Sequence, residues 1–358
     1  MSIKTAIIGA SGYTGAELLR LLVMHPEFSP VVVTGDSQAG QSVVVLYPHL
    51  SQYSSMRFSS MDDCQDVIDE CELVFSCLPH GHAMGILPKL QNRFVVDLAS
   101  DFRLSSSADY EMWYGKPHCC PQELSSWAYG MPELFKDNIV ANGARIANPG
   151  CYATACILAN APLVANGLVD NTIVIDAISG TSGAGRGAKP ALHFAHVYED
   201  VRAYKIGNHQ HIGEVEIALN RLSSRLYSSE NSAKSLQNDK LKVCLSAQLA
   251  PMSRGIYAIS SAQLTKDVDT KELQAVFSSF YREAPFVRLV DSPPGTKEVR
   301  GSNFVYINAQ VDKRTGRVIV TSAIDNLVKG AAGQAIQNAN IICSLDETTG
   351  LNVSGLYP

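Results

Sequence analysis

The chain has 358 residues, more than one hydrophobic core usually spans, and this length predicts two domains. Hydrophobic residues make up 46% of the chain and charged residues 18%, a balance typical of globular rather than disordered proteins. The formal net charge is −5 and no run of Lys or Arg exceeds two residues, which argues against a surface for nucleic acid or anionic membranes. No apolar stretch approaches the roughly 20 residues of a membrane span, so we expect no membrane partner.

Nine cysteines are scattered along the chain without regular spacing. An odd number of thiols in a long chain indicates a reducing compartment rather than a disulfide framework. Cys119 and Cys120 are adjacent and follow His118, but no Cys-x-x-Cys pair occurs, so the spacing does not favour zinc. We therefore predict a cytoplasmic location and no metal site.

Short β-branched runs alternate with helical stretches through the first part of the chain. The pattern predicts strands over residues 3–8, 30–34, 73–78 and 94–98, and a helix over residues 15–24. Such alternation indicates βαβ units, and hence an α/β, Rossmann-type domain with a parallel sheet over residues 1–148. Ligands of such domains bind beyond the carboxyl ends of the strands.

The turn after the first strand carries glycines at every third position. Glycines there allow a tight turn and the close approach of a pyrophosphate to the backbone N–H groups of a helix N-terminus. The spacing is GxxGxxG rather than GxGxxG, so an ordinary strand-to-helix turn is the alternative. The predicted cofactor-binding residues of this turn are Gly9, Ser11, Gly12, Tyr13, Thr14 and Gly15.

Two further turns bear on the cofactor. Asp36, after the second strand, suits the ribose 2′-hydroxyl of NAD, whereas its neighbour Ser37 suits the 2′-phosphate of NADP. These residues alone leave the choice between the two cofactors open. Pro79, beside His80 and His82 at the end of a later strand, is also predicted to lie at the cofactor cleft.

Arg103 follows the strand over residues 94–98. Its planar guanidinium can pair with a phosphate or carboxylate through two hydrogen bonds, which makes it the best single candidate to hold an anionic group. A surface salt bridge is the alternative interpretation of this arginine.

A turn at Asn148, Pro149 and Gly150 places Cys151 at the start of an apolar helix. Free N–H groups and the positive end of the helix dipole stabilise a thiolate there, which predicts a nucleophile. The alternative is a small residue that simply begins a helix. Cys156, among Ala, Ile and Leu, is predicted to be a buried and inert thiol.

The second domain is predicted over residues 149–325, with strands over 172–178, 242–249, 256–264, 303–311 and 317–324. Long strands with few helices between them suggest a mixed or antiparallel sheet in an α+β domain. Residues 223–239, rich in Ser, Asn and Lys, are predicted to form a surface loop. The helical pattern over 326–343 predicts that the C-terminal segment, 326–358, packs back on the first domain.

Two segments of the second domain could carry chemistry. The Gly-rich loop over residues 179–187 ends near Arg186, and it is either an anion-binding nest or a flexible connector. His209 and His211 are two residues apart and have no third metal ligand of suitable type nearby. A general acid/base that works with a thiol fits them better, because imidazole titrates near neutral pH.

Together these segments resemble the N-acetyl-γ-glutamyl-phosphate reductases, relatives of the aspartate-semialdehyde dehydrogenases. The resemblance runs almost end to end through eight ordered motifs, at residues 9–15, 96–104, 129–133, 148–154, 179–186, 209–216, 253–255 and 325–335. This chain departs from the family pattern at Ala153, where Pro is common, and at Gln210 and Gly213, where Arg and Pro are usual. These changes affect substrate positioning more than the type of reaction.

The resemblance implies NADPH-dependent reduction of N-acetyl-γ-glutamyl phosphate to the 5-semialdehyde and phosphate through a Cys151 thioester, in arginine biosynthesis. His211 would be the acid/base, with His209 as the alternative. The other residues assigned by the resemblance are Ser100, Arg103, Asn148 and His209 for the substrate, and Ser182, Gly183 and Asn326 for NADP. The second domain would also form a homo-oligomer, either a dimer or a tetramer.

Two alternatives remain open at this point. A reductase of aspartyl or aminoadipyl phosphate would keep every catalytic residue and differ only in its pocket. A non-catalytic nucleotide-binding relative would need neither Cys151 nor His211.

Overall fold

The computed structural model describes residues 2–226 and 240–358. Contacts divide the chain into two units, which are Met1–Gly150 with Leu327–Val353 and Cys151–Asn326 with Ser354–Pro358. Among the described residues there are two seven-stranded sheets, one in each unit. Within the same residues, no helix is both long enough and apolar enough to cross a bilayer.

The structure gives the following elements in chain order. The strands are β1 (Ile3–Ile8), β2 (Phe28–Thr34), β3 (Phe58–Ser59), β4 (Leu73–Ser76), β5 (Phe94–Asp97), β6 (Ala128–Tyr129), β7 (Arg145–Ala147), β8 (Val169–Ser179), β9 (Arg202–Ala203), β10 (Lys242–Leu249), β11 (Ile256–Leu264), β12 (Val287–Leu289), β13 (Val305–Asp312) and β14 (Arg317–Ile324). The helices are α1 (Tyr13–Leu22), α2 (Val43–Leu46), α3 (Gln65–Asp69), α4 (Ala83–Ile86), α5 (Ser107–Tyr114), α6 (Pro132–Asn142), α7 (Cys151–Ala165), α8 (Phe194–Val197), α9 (His211–Leu226), α10 (Thr270–Phe280), α11 (Thr296–Val299) and α12 (Gly333–Ile342).

The sheet of the first unit is parallel throughout, with the order β3-β2-β1-β4-β5-β7-β6. Its central strands β1, β4 and β5 are nearly continuous apolar runs, as expected for parallel strands with both faces covered. Neighbouring parallel strands end at the same edge of a sheet. The turns after β1, β2, β4, β5 and β7 therefore share one edge, and these turns carry the predicted site residues of this unit.

The sheet of the second unit is mixed, with the order β12-β13-β14-β11-β8-β10-β9. Strand β11 pairs antiparallel with both β8 and β14, whereas β8 and β10 are parallel. Helix α7 is apolar all round and is buried from Tyr152 to Val164, which makes it the core helix of this unit. The predicted fold, a Rossmann-type α/β domain followed by an α+β domain, is confirmed.

Several element boundaries differ from the predicted ones. Helix α1 begins at Tyr13 rather than at residue 15, because Gly12 is still extended and serves as the N-cap residue. Strand β13 begins at Val305 because the N–H of Ser302 closes a turn onto the carbonyl of Val299.

Two predicted segments differ more. The loop prediction over 223–239 is wrong for residues 223–226, since α9 continues to Leu226, and residues 227–239 lie outside the described part. The predicted helix over 326–343 consists of a π-helical turn, Val328–Ala332, followed by α12.

Candidate active site

The turn after β1 is built around three glycines, and the outer two have no room for a side chain. Gly9 has a φ of +75°, and a Cβ there would lie 2.9 Å from the carbonyl carbon and oxygen of Cys77. A Cβ on Gly15 would lie 2.4 Å from the Cα of Ala10. At Gly12, by contrast, an added Cβ meets no atom within 4 Å. The packing therefore explains the outer two glycines, and the middle one leaves open space at the N-terminus of α1, as a phosphate requires.

The turn after β2 presents both residues that bear on cofactor choice. Asp36 and Ser37 are exposed. One carboxylate oxygen of Asp36 accepts a hydrogen bond from the Met61 N–H at 3.2 Å. Gly35 lies close to the glycine-rich turn, since a Cβ there would be 2.9 Å from the Cβ of Ser11. Asp36 and Ser37 therefore lie next to the glycine-rich turn after β1, within the first unit.

Hydrogen bonds connect the turns after β4 and β5. Pro79 and His80 are exposed, and the Nδ1 atom of His80 accepts a hydrogen bond from the Ser100 N–H at 3.1 Å. The buried carboxylate of Asp101 accepts from the backbone N–H groups of Gly81, at 2.8 Å, and Met84, at 3.1 Å. The predicted cofactor residue Pro79 and the predicted substrate residue Ser100 thus belong to one connected pair of turns.

Ser100 and Arg103 are both buried. The Ser100 hydroxyl has no hydrogen-bond partner among the described residues, an arrangement that leaves it available to a ligand. Arg103 is only 6% exposed, which rules out the alternative of a surface salt bridge. Its Nε donates to the Asn148 carbonyl at 2.7 Å and an Nη donates to the Leu98 carbonyl at 2.8 Å. The guanidinium is therefore held rigidly at the end of β5.

The side-chain amide of Asn148, which is predicted to contact substrate, makes hydrogen bonds inside the first unit. Its Nδ2 donates to the Ala331 carbonyl at 3.1 Å, and its Oδ1 accepts from Asn338 Nδ2 at 3.0 Å. Asn338 also donates to the Gly130 carbonyl at 2.8 Å. These hydrogen bonds hold the turn after β7. Nothing in the local sequence of α12 marked Asn338 as part of this network.

Asp97, the last residue of β5, is a buried carboxyl group that sequence reasoning did not single out. Burial raises the pKa of Asp97 to about 7, against the opposing hydrogen bond from the Ala99 N–H. The charge of Asp101 raises the pKa further, whereas Arg103 lowers it. Near neutral pH the buried Asp97 carboxyl is therefore partly protonated.

In the second unit, Cys151 is the first residue of α7 and is half-buried. The N-terminus of a 15-residue helix lowers the free energy of a thiolate there, through its N–H groups and its dipole. Cys156, on the same helix, is fully buried, and burial raises the pKa of its thiol to about 12, with Cys151 adding to the shift. The prediction that Cys156 is a buried thiol is confirmed.

Both predicted histidines lie at the start of α9 and pack against the residue that follows Cys151. The ring of Tyr152 lies 5.4 Å from the ring of His209 and 6.1 Å from that of His211, measured between centroids. The two imidazole rings are 4.8 Å apart. Tyr152 is fixed in turn by a hydrogen bond from its hydroxyl to the Gln248 carbonyl at 2.7 Å.

His209 has a defined hydrogen-bonding position at the start of α9. The Nδ1 atom of His209 accepts the backbone N–H of His211 at 3.1 Å, which satisfies the first N–H of α9. Burial, together with the charge of Lys205, lowers the pKa of His209 to about 4. His209 is therefore neutral at pH 7, carries its proton on Nε2, and has a structural task at the helix start.

The remaining predicted cofactor residues come together at the carboxyl end of β8. Asn326 donates from Nδ2 to the Ser182 hydroxyl at 2.9 Å and accepts the Gly255 N–H at 2.7 Å. A Cβ on Gly183 would lie 3.0 Å from the Ser179 hydroxyl oxygen. The amide of Asn326 thus holds the loop, while each of its two polar atoms keeps one further hydrogen-bonding position.

Comparison with known proteins shows which family the chain belongs to. Residues 4–142 match the model of the semialdehyde dehydrogenase NAD binding domain, and residues 151–326 match the model of the semialdehyde dehydrogenase dimerisation domain. A protein of Desulforudis audaxviator named N-acetyl-gamma-glutamyl-phosphate reductase is 44% identical, over 99% of this chain and 100% of that protein. The chain belongs to the N-acetyl-gamma-glutamyl-phosphate reductase family. The resemblance predicted from the motifs is therefore confirmed.

Solved structures support the fold of this reductase family member. Aspartate semialdehyde dehydrogenase II of Vibrio cholerae, complexed with ASA, matches with a TM-score of 0.70 and 15% identity, over 96% of this chain and 99% of that one. Aspartate semialdehyde dehydrogenase of Candida albicans, solved with NADP, matches with a TM-score of 0.65 and 17% identity over the same shares. At these identities the likeness is one of fold.

Proposed function

We propose that this chain reduces N-acetyl-γ-glutamyl phosphate with NADPH, giving N-acetyl-L-glutamate 5-semialdehyde and phosphate, as a cytoplasmic enzyme of arginine biosynthesis. The observation that carries the proposal is the placement of Cys151 at the N-terminus of α7, next to Tyr152, whose ring contacts both His209 and His211. A thiol that is activated by a helix N-terminus and has imidazole nearby suits acyl transfer to sulfur.

In the proposed reaction, the Cys151 sulfur carries the acyl group as a covalent intermediate. Its thiolate attacks the acyl carbon, the bond to phosphate breaks, and the acyl group is held as a thioester. NADPH, when bound, supplies the hydride that reduces this thioester to a thiohemiacetal. The carbon–sulfur bond of the thiohemiacetal then breaks, which releases the aldehyde and restores Cys151. A thioester accepts hydride far more readily than a carboxylate does.

Of the two histidines, His211 is the better candidate for the acid/base. It would remove the proton of the Cys151 thiol and later handle the proton on the thiohemiacetal oxygen. A group with a pKa of about 4, such as His209, is a weak base near neutral pH. We therefore assign His209 to orienting the start of α9 and to bordering the substrate.

The substrate phosphate is assigned to Ser100 and Arg103. The buried, unpartnered Ser100 hydroxyl and the fixed cation of Arg103 support this assignment, since a phosphate oxygen would satisfy the hydroxyl and balance the charge. Asn148 fixes the carbonyl that accepts from Arg103, so we assign it to positioning rather than to substrate contact.

The residues present fit NADP. The open space at Gly12 and the N-terminus of α1 suit a pyrophosphate, with Gly9, Ser11, Tyr13, Thr14 and Gly15 forming the turn. The exposed Ser37 suits a 2′-phosphate, and we assign Ser182, Gly183 and Asn326 to the nicotinamide end. Pro79 is also assigned to the cofactor site.

We also propose that the chain forms a homo-oligomer, a dimer or a tetramer, through the outer face of the second sheet. Val174, Ser261 and Ile319 form a row across β8, β11 and β14, and Ile259 lies two residues from Ser261 on the same face. Val174, Ile259 and Ile319 are large apolar side chains that are each more than a third exposed. Ile259→Glu should therefore shift the molecular mass in analytical ultracentrifugation toward the monomer. An unchanged mass would place the interface elsewhere.

The function is tested by the reverse reaction with three semialdehydes. We expect NADPH formation from N-acetyl-L-glutamate 5-semialdehyde and NADP⁺ to depend on inorganic phosphate and to exceed that from aspartate or aminoadipate semialdehyde. Faster oxidation of either of those two would indicate a different acyl-phosphate reductase. Nucleotide binding without any turnover would indicate a non-catalytic relative.

A further inference from the structure

Cys119 and Cys120 form a pair of thiols that the proposed reaction does not use. The two sulfur atoms are 3.8 Å apart, and neither is in a disulfide. Cys119 is exposed to solvent, whereas Cys120 is buried. One thiol can therefore be reached directly, and the second lies in contact with it.

Cys120 belongs to a closed ring of hydrogen bonds within the first unit. Its thiol donates to the Met84 carbonyl at 2.8 Å, and the Met84 N–H donates to the Asp101 carboxylate at 3.1 Å. The Asp101 carbonyl lies 2.9 Å from Nε2 of His118, whose Nδ1 accepts the N–H of Cys120 at 3.2 Å. Because His118 accepts at Nδ1, its proton is on Nε2 and the ring is fully satisfied.

This ring holds the loop that carries the proposed phosphate residues. Asp101 lies between Ser100 and Arg103 in the chain, and His118 contacts the ring of Phe102 at 5.5 Å between centroids. A change at the Cys120 sulfur would therefore reach the loop through one hydrogen bond to Met84 and one from Met84 to Asp101.

We propose that Cys119 and Cys120 are a dithiol modification site for trivalent arsenic compounds, which bridge two sulfur atoms. With phenylarsine oxide, both S–H bonds break, two arsenic–sulfur bonds form, and the oxide oxygen leaves as water with the two protons. Arsenic stays trivalent, so neither an oxidant nor a reductant is needed. Adduct formation removes the hydrogen bond from the Cys120 thiol to the Met84 carbonyl.

The surroundings of the two thiols set the order of reaction. Burial, together with the neighbouring Cys119, raises the pKa of the Cys120 thiol to about 12. Cys120 therefore reacts only after the exposed Cys119 has brought arsenic next to it. A reagent that alkylates single thiols, such as iodoacetamide, should modify Cys119 and leave Cys120 unmodified.

The effect on activity rests on the proposed function, whereas the adduct itself does not. Loss of one buried hydrogen bond should loosen the loop and raise the KM for phosphate by about 2- to 12-fold, the range that a bond of ordinary strength corresponds to. The KM for NADP⁺ should change little.

The test combines intact-protein mass spectrometry with kinetics. We expect one phenylarsenic group per chain in the unaltered protein and also in Cys151→Ser, which has no nucleophile. Cys119→Ala keeps the bond from Cys120 to Met84, so it should show normal activity and no stable adduct. Cys244→Ser is the matched control, because Cys244 is an exposed thiol with no cysteine next to it in the sequence, and this variant should still be modified. A dithiol such as 2,3-dimercaptopropanol should reverse the modification, whereas 2-mercaptoethanol should not.

Contrary results would bear separately on the site, on its coupling to the loop and on the proposed function. An adduct that forms equally well in Cys119→Ala, or that disappears in Cys151→Ser, overturns the assignment of the site. An adduct without any change in the KM for phosphate refutes the coupling through Asp101. Absence of phosphate-dependent turnover before modification refutes the proposed function alone, because the mass measurement remains decisive for the dithiol site.

Discussion

Substitutions of His209 separate a structural role from a catalytic one. His209 accepts the first N–H of α9, and in His209→Ala this buried donor loses its acceptor, at a cost of about 1–3 kcal/mol in the free energy of unfolding. In His209→Asn the side-chain oxygen can accept the same N–H, so stability at pH 7 should be largely retained. We expect kcat to stay within about tenfold in His209→Asn and to fall by about 10²–10⁴ in His211→Asn, the usual size of acid/base effects.

The pH dependence of stability provides a second measurement on His209. Its pKa is about 4 in the folded state against 6.5 when unfolded, so the unfolded state binds more protons between these values. The free energy of unfolding must therefore fall as the pH falls through this window, by roughly 3 kcal/mol in total at 1.4 kcal/mol per pH unit. His209→Asn removes this contribution, and urea unfolding at pH 7 and at pH 4 should reveal a smaller loss in the variant.

Equal losses in the two proteins would mean that the pKa of His209 is not lowered. A large fall in kcat for His209→Asn, with little change for His211→Asn, would make His209 the base.

Three further substitutions test the rest of the site. Cys151→Ser should abolish reduction while NADPH still binds, and iodoacetamide should label Cys151 before the buried Cys156; appreciable turnover by the serine variant would refute the thioester. In Gly12→Ala the added methyl meets no atom of the fold, so the melting temperature should be unchanged. The methyl should raise the KM for NADPH more than about tenfold, because it crowds the pyrophosphate at the glycine turn. An unchanged KM would place the pyrophosphate elsewhere. Arg103→Lys keeps the positive charge but loses the planar guanidinium, which can form two parallel hydrogen bonds. The KM for phosphate should therefore rise and that for NADP⁺ should not. The opposite pattern would assign Arg103 to the cofactor.

Local sequence patterns predicted the secondary structure wherever a continuous or alternating series of apolar residues determined it. Strands β1, β11 and β14 occur at their predicted bounds, because uninterrupted or alternating apolar residues fix both the strand and its limits. The loop prediction over 223–239 is wrong for residues 223–226, which are helical. The polar composition there concealed the helical spacing of the buried Val215, Leu219 and Leu222, which carries α9 onward.

In the candidate site, features formed by adjacent residues were predicted, and features formed by distant residues were not. The glycine turn and Cys151 were predicted because strand, turn and helix start are adjacent in sequence. The partner of Asn148 was not, because Asn338 is 190 residues away and its amide gives no local signal. The Tyr152 ring against both histidines was likewise missed, since 57 positions separate Tyr152 from His209. Contacts of this kind follow from tertiary packing, which composition and spacing do not encode.

The two departures from the family pattern near the histidines can be understood from the structure. Gln210 stands where arginine is usual, and its Oε1 accepts a hydrogen bond from Lys205 Nζ at 2.7 Å, so a cation is still present at this position. Gly213 stands where proline is usual, and a glycine fixes the first turn of a helix less firmly. The start of α9 is held by His209, whose Nδ1 accepts the His211 N–H at 3.1 Å and whose carbonyl accepts the Ile212 N–H at 2.9 Å. Lys205 therefore provides a cation next to Gln210, and the hydrogen bonds of His209 hold the start of the helix that Gly213 leaves less restricted.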